Sequence, residues 1–217
     1  LLHGSGGDET AWLDLGHMAR IMDNLIAEGK CVPMIVVMPN GNFGKQAAAG
    51  ETAENLAFRP VSTHLLPHYK DGLFELAFPE IVNYVDATFN TIPDKAHRAI
   101  AGLSMGGMHT LMITANYPDM FNYIGLYSAG VDFSHLNMEE VPAYANLDAK
   151  LTKLAQGNPK LYWIACGSED WLLPANKRLM ERMDKDGLKY TFHESPRGHL
   201  WCNWRQYSLL FIPQLFK

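Results

Sequence analysis

Residues 98–108 read Arg98-Ala99-Ile100-Ala101-Gly102-Leu103-Ser104-Met105-Gly106-Gly107-Met108, and the fold class follows from how they divide. The first half, up to Leu103, is short, apolar and free of turn residues, as a buried strand is. From Ser104 the composition suits a helix that runs to residue 117 and stops before Pro118. Between them lies Gly102-Leu103-Ser104-Met105-Gly106, a Gly-x-Ser-x-Gly pattern. The spacing has a chemical reason. A serine on a tight strand-to-helix turn projects its hydroxyl out of the sheet, and a side chain at either flanking glycine would collide with backbone. The same turn puts the Met105 amide at a helix N-terminus, where it can face a developing negative charge. Ser104 is therefore the candidate nucleophile.

Outward from this turn, strand and helix patterns alternate. Residues 34–38, 98–103, 123–128, 161–166 and 190–194 read as strands, and Leu1-Leu2 as the end of another. Helical spacing covers 14–29, 74–89, 104–117, 174–186 and 201–211, with Pro79 expected to kink or restart the second. Residues 43–69 read as a long loop over the site, and 131–159 as a cap-like insertion with one or two helices. This alternation predicts an α/β fold: a mostly parallel sheet of about six strands with helices on both faces. With 217 residues, 47% of them hydrophobic, the chain suits one α/β domain spanning 1–217.

Charge narrows the partners. The net charge is −5 with no clustered basic stretch, which argues against a nucleic-acid partner. No apolar run is long enough to span a bilayer, so no membrane partner is expected either. Cys31, Cys166 and Cys202 are odd in number and widely spaced, which predicts core or near-core thiols and not a disulfide or zinc framework. The histidines lack metal-binding helical spacing and no dinucleotide loop occurs, so neither metal nor cofactor is expected.

A serine on such an elbow takes its partners downstream, in the order serine, acid, histidine. Glu169 and Asp170 both qualify as the acid, since Gly167-Ser168-Glu169-Asp170 follows the strand 161–166, and acids of this kind sit past a strand's carboxyl end. Only His193 and His199 follow the acid. His193 falls inside a strand pattern; His199 lies in the loop Ser195-Pro196-Arg197-Gly198-His199 and can swing over the serine as general base. A second oxyanion donor is expected from His3-Gly4-Ser5-Gly6-Gly7, with the Ser5 amide favoured and Gly4 as the alternative. Trp12, Trp171 and Trp201 flank these loops and are candidate substrate contacts, as is Trp204.

With these residues in view, the chain resembles the esterases of carbohydrate esterase family 1, in particular the feruloyl esterase domains of bacterial xylanases. The resemblance rests on Leu2-His3-Gly4, Asp23 to Lys30, Met38-Pro39-Asn40-Gly41-Asn42, His97 to Gly107, Gly167 to Asp170, and Gly198-His199-Leu200-Trp201 with Trp204. It implies an α/β-hydrolase fold and a triad of Ser104, Asp170 and His199. It further implies hydrolysis of feruloyl or acetyl esters of plant cell-wall polysaccharide, and a secreted or periplasmic location. Thioesterases of formylglutathione, and acyltransferases of the same fold, share the resemblance; a silent binding module is the third reading. Two departures stand out. Arg197 replaces a glycine common in relatives, and relatives carry further strands upstream of the Leu-His-Gly turn. The resemblance thus predicts missing N-terminal strands, upstream sequence with any export signal, and 34–38 as an exposed edge that either pairs into a homodimer or aggregate or leaves the chain poorly stable.

Overall fold

The computed structural model describes residues 1–41, 71–134 and 138–217. Among them four strands form one sheet: β1 (Ala99–Leu103), β2 (Tyr123–Tyr127), β3 (Leu161–Gly167) and β4 (Thr191–Ser195). Their order is β1-β2-β3-β4 and every pairing is parallel. The helices are α1 (Ala11–Asp14), α2 (Met18–Ala27), α3 (Leu73–Thr88), α4 (Met105–Asn116), α5 (Leu147–Gln156), α6 (Leu173–Asp186) and α7 (Trp201–Phe211). The expected loop at 43–69 lies outside the described residues.

The strands alternate between two cores. Ile100, Ile124, Leu126, Tyr162 and Ile164 face one, which residues of α3, α4, α5 and α6 complete. Ala101, Leu103, Tyr123, Tyr127, Trp163 and Ala165 face the other, shared with α2 and α7. Both faces of β1, β2 and β3 are covered, which is why those three read as continuous apolar runs, whereas β4 at the sheet border is mixed and only partly buried. Gly125 lies on the second face, where a Cβ would come within 3.1 Å of the Phe211 ring. The helices end where their sequences say. Pro174 sits in the first turn of α6, where its missing amide costs nothing, and Gly187 closes that helix at φ +71°. Pro79 does not restart α3, which runs through it as one element.

The border beside β1 corrects the expected six strands. Leu2 alone bridges Gly102: its amide donates to Ala101 O at 2.8 Å, and its carbonyl accepts from the Leu103 amide at 3.1 Å. Residues 34–38 form no ladder. The Leu1 amino group donates to Val37 O at 2.7 Å, while Met34, Val36 and Met38 pack onto the second core. A ladder needs successive paired residues, and among the described residues Leu2 makes a single bridge to β1 and Leu1 a single bond to Val37. The edge strand on which the expectation of pairing rests is not formed.

Parallel strands have a functional consequence. Leu103, Tyr127, Ala165 and His193 are paired neighbours, so the residues that follow them all leave the sheet at one edge. Helix α4 fixes β1 to the first core through Leu111, which is fully buried. Truncation of such a side chain removes apolar contacts and leaves a cavity. Leu111→Ala is expected to cost about 2–5 kcal/mol in urea unfolding, with an unchanged denaturant slope.

Candidate active site

Ser104 follows β1 at φ +53°, ψ −115°, a backbone conformation that L-residues avoid at a cost on the order of 1–3 kcal/mol. Its amide donates to Tyr127 O at 2.9 Å, and its carbonyl accepts from Gly130 N at 2.7 Å and Met108 N at 3.1 Å. The two motif glycines make the turn sterically feasible. A Cβ on Gly102 would run into the Gly106 backbone, and one on Gly106 would lie 2.5 Å from the carbonyl oxygens of both Leu2 and His3. The elbow and the loop after Leu2 therefore touch backbone to backbone. Met105 opens α4, with its amide at the positive end of the helix.

Asp170 and His199 come together at the same edge. Asp170 Oδ2 lies 2.9 Å from His199 Nδ1 and Oδ1 lies 3.2 Å from it, with the carboxylate side chain fully buried and the imidazole 20% exposed. Glu169, the rival acid, is exposed. Burial pushes the Asp170 carboxyl up, but the His199 ring and the Leu172 amide, which donates to Oδ1 at 2.9 Å, outweigh it; the carboxyl stays below its usual range. An ionised Asp170 accepts from Nδ1–H, so Nε2 is the imidazole nitrogen left to take a proton. His193 does not compete: it remains inside β4, stacked on Trp163 at 5.9 Å. Nor does Cys166, whose thiol burial pushes up to about 12, with Asp170 adding to the shift.

The His199 ring is framed by Trp171 at 5.5 Å and Trp204 at 4.8 Å. Trp171 is 71% exposed and forms the rim. Trp201 is half-buried between Trp204 and Trp12. Trp12 does not fit the expected role of substrate contact. It is 1% exposed, and its indole N–H donates to Leu2 O at 3.0 Å, which makes it core beneath the loop 3–7. Arg197 adopts φ +68°, the left-handed region that glycine favours, and its carbonyl accepts from Glu169 N at 3.0 Å. That conformation is the physical reason a glycine suits the position, and Arg197 keeps it at a cost.

The loop 3–7 is tied down by His3, which is 2% exposed. Gly41 N donates to His3 Nε2 at 2.9 Å, so Nε2 is the acceptor and Nδ1 carries the proton it donates to Gly4 O at 2.8 Å. Gly7 N closes the turn onto Gly4 O at 3.1 Å. A Cβ on Gly4 would lie 3.3 Å from Ser104 Cβ, which puts the exposed Ser5 beside the elbow. Two buried residues escaped the sequence reading: His109 on α4, and Glu75 on α3, whose Oε1 lies 2.7 Å from His109 Nδ1. The signal was Glu75 itself, a carboxylate directly beside Phe74 on a helix whose Phe74 and Phe78 are buried. Among the described residues no group of three or more His, Cys, Asp or Glu could hold a metal ion, and no helix is long and apolar enough to cross a membrane.

Burial holds the His3 ring below the usual histidine range; His109 adds to this, while the Gly4 carbonyl and Asp8 pull the other way. In the unfolded chain the group titrates near 6.5. The folded state therefore binds fewer protons below that pH, and the stability His3 contributes is complete above it and lost as pH falls towards the folded value. Between about pH 8 and pH 5, the melting temperature of the wild type is expected to fall more steeply than that of His3→Gln. Parallel curves would show that His3 does not titrate in this window.

Comparison with known proteins gives the family and the fold. A family profile described as "Putative esterase" matches residues 1–210. An endo-1,4-beta-xylanase/feruloyl esterase of Xylanibacter ruminicola is 40% identical over 130 residues, 60% of this chain and 16% of that protein. An acetyl esterase of Caldicellulosiruptor saccharolyticus is 27% identical over 157 residues, 59% of this chain and 58% of that protein. The chain thus spans less than two thirds of either relative. The structure of a carbohydrate esterase family 1 ferulic acid esterase from Anaeromyces mucronatus superposes with a TM-score of 0.73 at 22% identity, covering 99% of this chain and 76% of that one. That likeness shows a shared α/β-hydrolase fold. With the profile running over nearly its whole length, this chain belongs to the esterase family.

Proposed function

We propose that residues 1–217 are a serine esterase domain that removes feruloyl or acetyl substituents from plant cell-wall polysaccharide through an acyl-enzyme on Ser104. The observation that carries this reading is the 2.9 Å Asp170–His199 contact, at the same sheet edge as a serine held at φ +53°. In the proposed cycle, Ser104 Oγ attacks the ester carbonyl while His199 Nε2 takes its proton. The Met105 and Ser5 amides receive the oxyanion, and Asp170 stabilises the imidazolium. His199 then returns the proton to the departing sugar hydroxyl. Water, activated by the same nitrogen, attacks the acyl-enzyme; the carboxylic acid leaves and Ser104 is restored. The polysaccharide part of the reading is supported by the names of the relatives and by exposed Trp171, whose face is available to a sugar or a hydroxycinnamoyl ring.

Activity on methyl ferulate, acetylated xylan and S-formylglutathione tests the substrate class. Turnover of the oxygen esters above the thioester is expected; a preference for S-formylglutathione would overturn the cell-wall reading. Ser104→Ala is expected to lower kcat by on the order of 10⁴–10⁶ with an unchanged circular dichroism spectrum. Asp170→Asn should cost about 10⁴ through the wrong imidazole tautomer, whereas Glu169→Gln should stay close to wild type.

A further inference from the structure

A second carboxylate–imidazole pair lies inside the protein, and the ester chemistry has no use for it. His109 is fully buried on α4 and Glu75 is 1% exposed on α3. His109 Nδ1 lies 2.7 Å from Glu75 Oε1, and the Tyr144 hydroxyl donates to the same oxygen at 3.3 Å. Phe74 packs against the His109 ring at 4.9 Å. Two polar groups of this kind are costly to bury in an otherwise apolar core, and an apolar pair would fill the space as well.

The other side of the ring shows what the pair faces. Among the described residues His109 Nε2 has no hydrogen-bond partner, and it is aimed at Gly41. A Cβ on Gly41 would lie 3.4 Å from His109 Nε2 and Cδ2, and 3.6 Å from His3 Nε2. Gly41 therefore lies against two imidazoles. Its amide donates to one of them, His3, which in turn donates to Gly4 O. Gly4 backs onto Ser104. A continuous buried seam thus runs from α3 through the elbow helix to the Gly41 turn, and from there into the oxyanion loop.

We propose that Glu75 and His109 are positioning residues for the oxyanion loop, acting through Gly41 and His3 on the Ser5 amide. Glu75 accepts from Nδ1–H and fixes the His109 ring so that one edge forms a wall against Gly41. The wall keeps the Gly41 amide on His3 Nε2. His3 then keeps its proton on Nδ1 and its hold on Gly4 O. Removing the acceptor frees the ring to turn and lets the Gly41 turn move, and misplacement of a donor by about 1 Å can cost up to 10²-fold in rate. Because α4 also carries Met105 at its start, the seam sets both oxyanion donors against a common helix. The inference rests on the reading of Ser5 and Met105 as those donors.

The test is a comparison of Glu75→Ala, Glu75→Gln and His3→Ala in the full chain. It uses methyl ferulate turnover, together with the affinity of a boronic acid whose tetrahedral adduct mimics the oxyanion, and of ferulate as product. Glu75→Ala is expected to lower kcat about 10–100-fold with KM within about 2-fold. It should weaken the boronic acid by a similar factor and leave ferulate affinity unchanged. Glu75→Gln, which keeps an acceptor oxygen, should restore most of the rate. Combining Glu75→Ala with His3→Ala should cost little more than His3→Ala alone, since both act on one path. If Glu75→Ala does not fold, the double variant Glu75→Leu/His109→Leu leaves no polar group of the pair unpaired and carries the same kinetic expectation. A folded variant with wild-type kcat and boronic acid affinity, or effects that multiply with those of His3→Ala, would overturn the proposal while the esterase reading stands. A wild type that turns over no ester would overturn both.

Discussion

Ser104 holds a backbone conformation that an L-residue avoids, and much of the surrounding architecture serves to keep it there. Its peptide groups are bonded on three sides, by Tyr127 of the neighbouring strand, by Gly130 beyond that strand, and by Met108 one turn into α4. The turn closes only because Gly102 and Gly106 let backbone meet backbone. The strain, on the order of 1–3 kcal/mol, is small against the burial of α4, whose residues from Met105 to Ala115 are all inaccessible. The helix thus anchors the strained serine and presents the Met105 amide at its N-terminus, the position proposed for one oxyanion donor.

The parallel sheet does the rest. Because β1, β2, β3 and β4 run in one direction and in register, the chain leaves each of them at the same edge. Ser104, Asp170 and His199 are far apart in sequence but follow strands of one sheet. Around them the two cores divide the work. The first packs α4 on α3 and α5, with α6 against α5, and has the Glu75–His109 pair beside it. The second packs Trp12, Trp163, Trp204 and Tyr207 beneath the loops that carry His3 and His199. Asp170 is the meeting point of burial and polarity: its carboxylate is inaccessible, yet it is kept ionised by the ring and amide that donate to it.

Much of this was legible in the amino-acid order because local pattern and global fold agree. The strand cores at 99–103, 123–127 and 161–166 announce themselves as apolar runs, 191–194 is a mixed segment (Thr191-Phe192-His193-Glu194) that is only partly buried, and α7 has the bounds its spacing predicts, Trp201–Phe211. His199 could be separated from His193 because His193 falls inside a strand pattern and His199 in the loop after it. What escaped depends on tertiary neighbours. Residues 34–38 have the composition of a strand, but strand formation needs a partner ladder, and that is not a property of the segment. Trp12 carries no mark that distinguishes a buried support from a rim residue; only its bond to Leu2 O and its contact with Trp201 do so. The left-handed φ of Arg197 is hidden because arginine is a poor advertisement for it. His109 is one of several polar residues in a helix buried from Met105 to Ala115, and nothing local says that its partner lies on α3.

The central claim is that one serine, held on the elbow and served by His199, is the nucleophile. Covalent capture with a reactive phosphonate, followed by fragmentation mass spectrometry of the labelled peptide, tests it most directly. The account predicts one adduct per chain, located on Ser104, formed in step with loss of ester turnover, and formed far more slowly when His199 is replaced by alanine. An adduct on another residue, or full ester turnover in a chain whose Ser104 is quantitatively labelled, would contradict it.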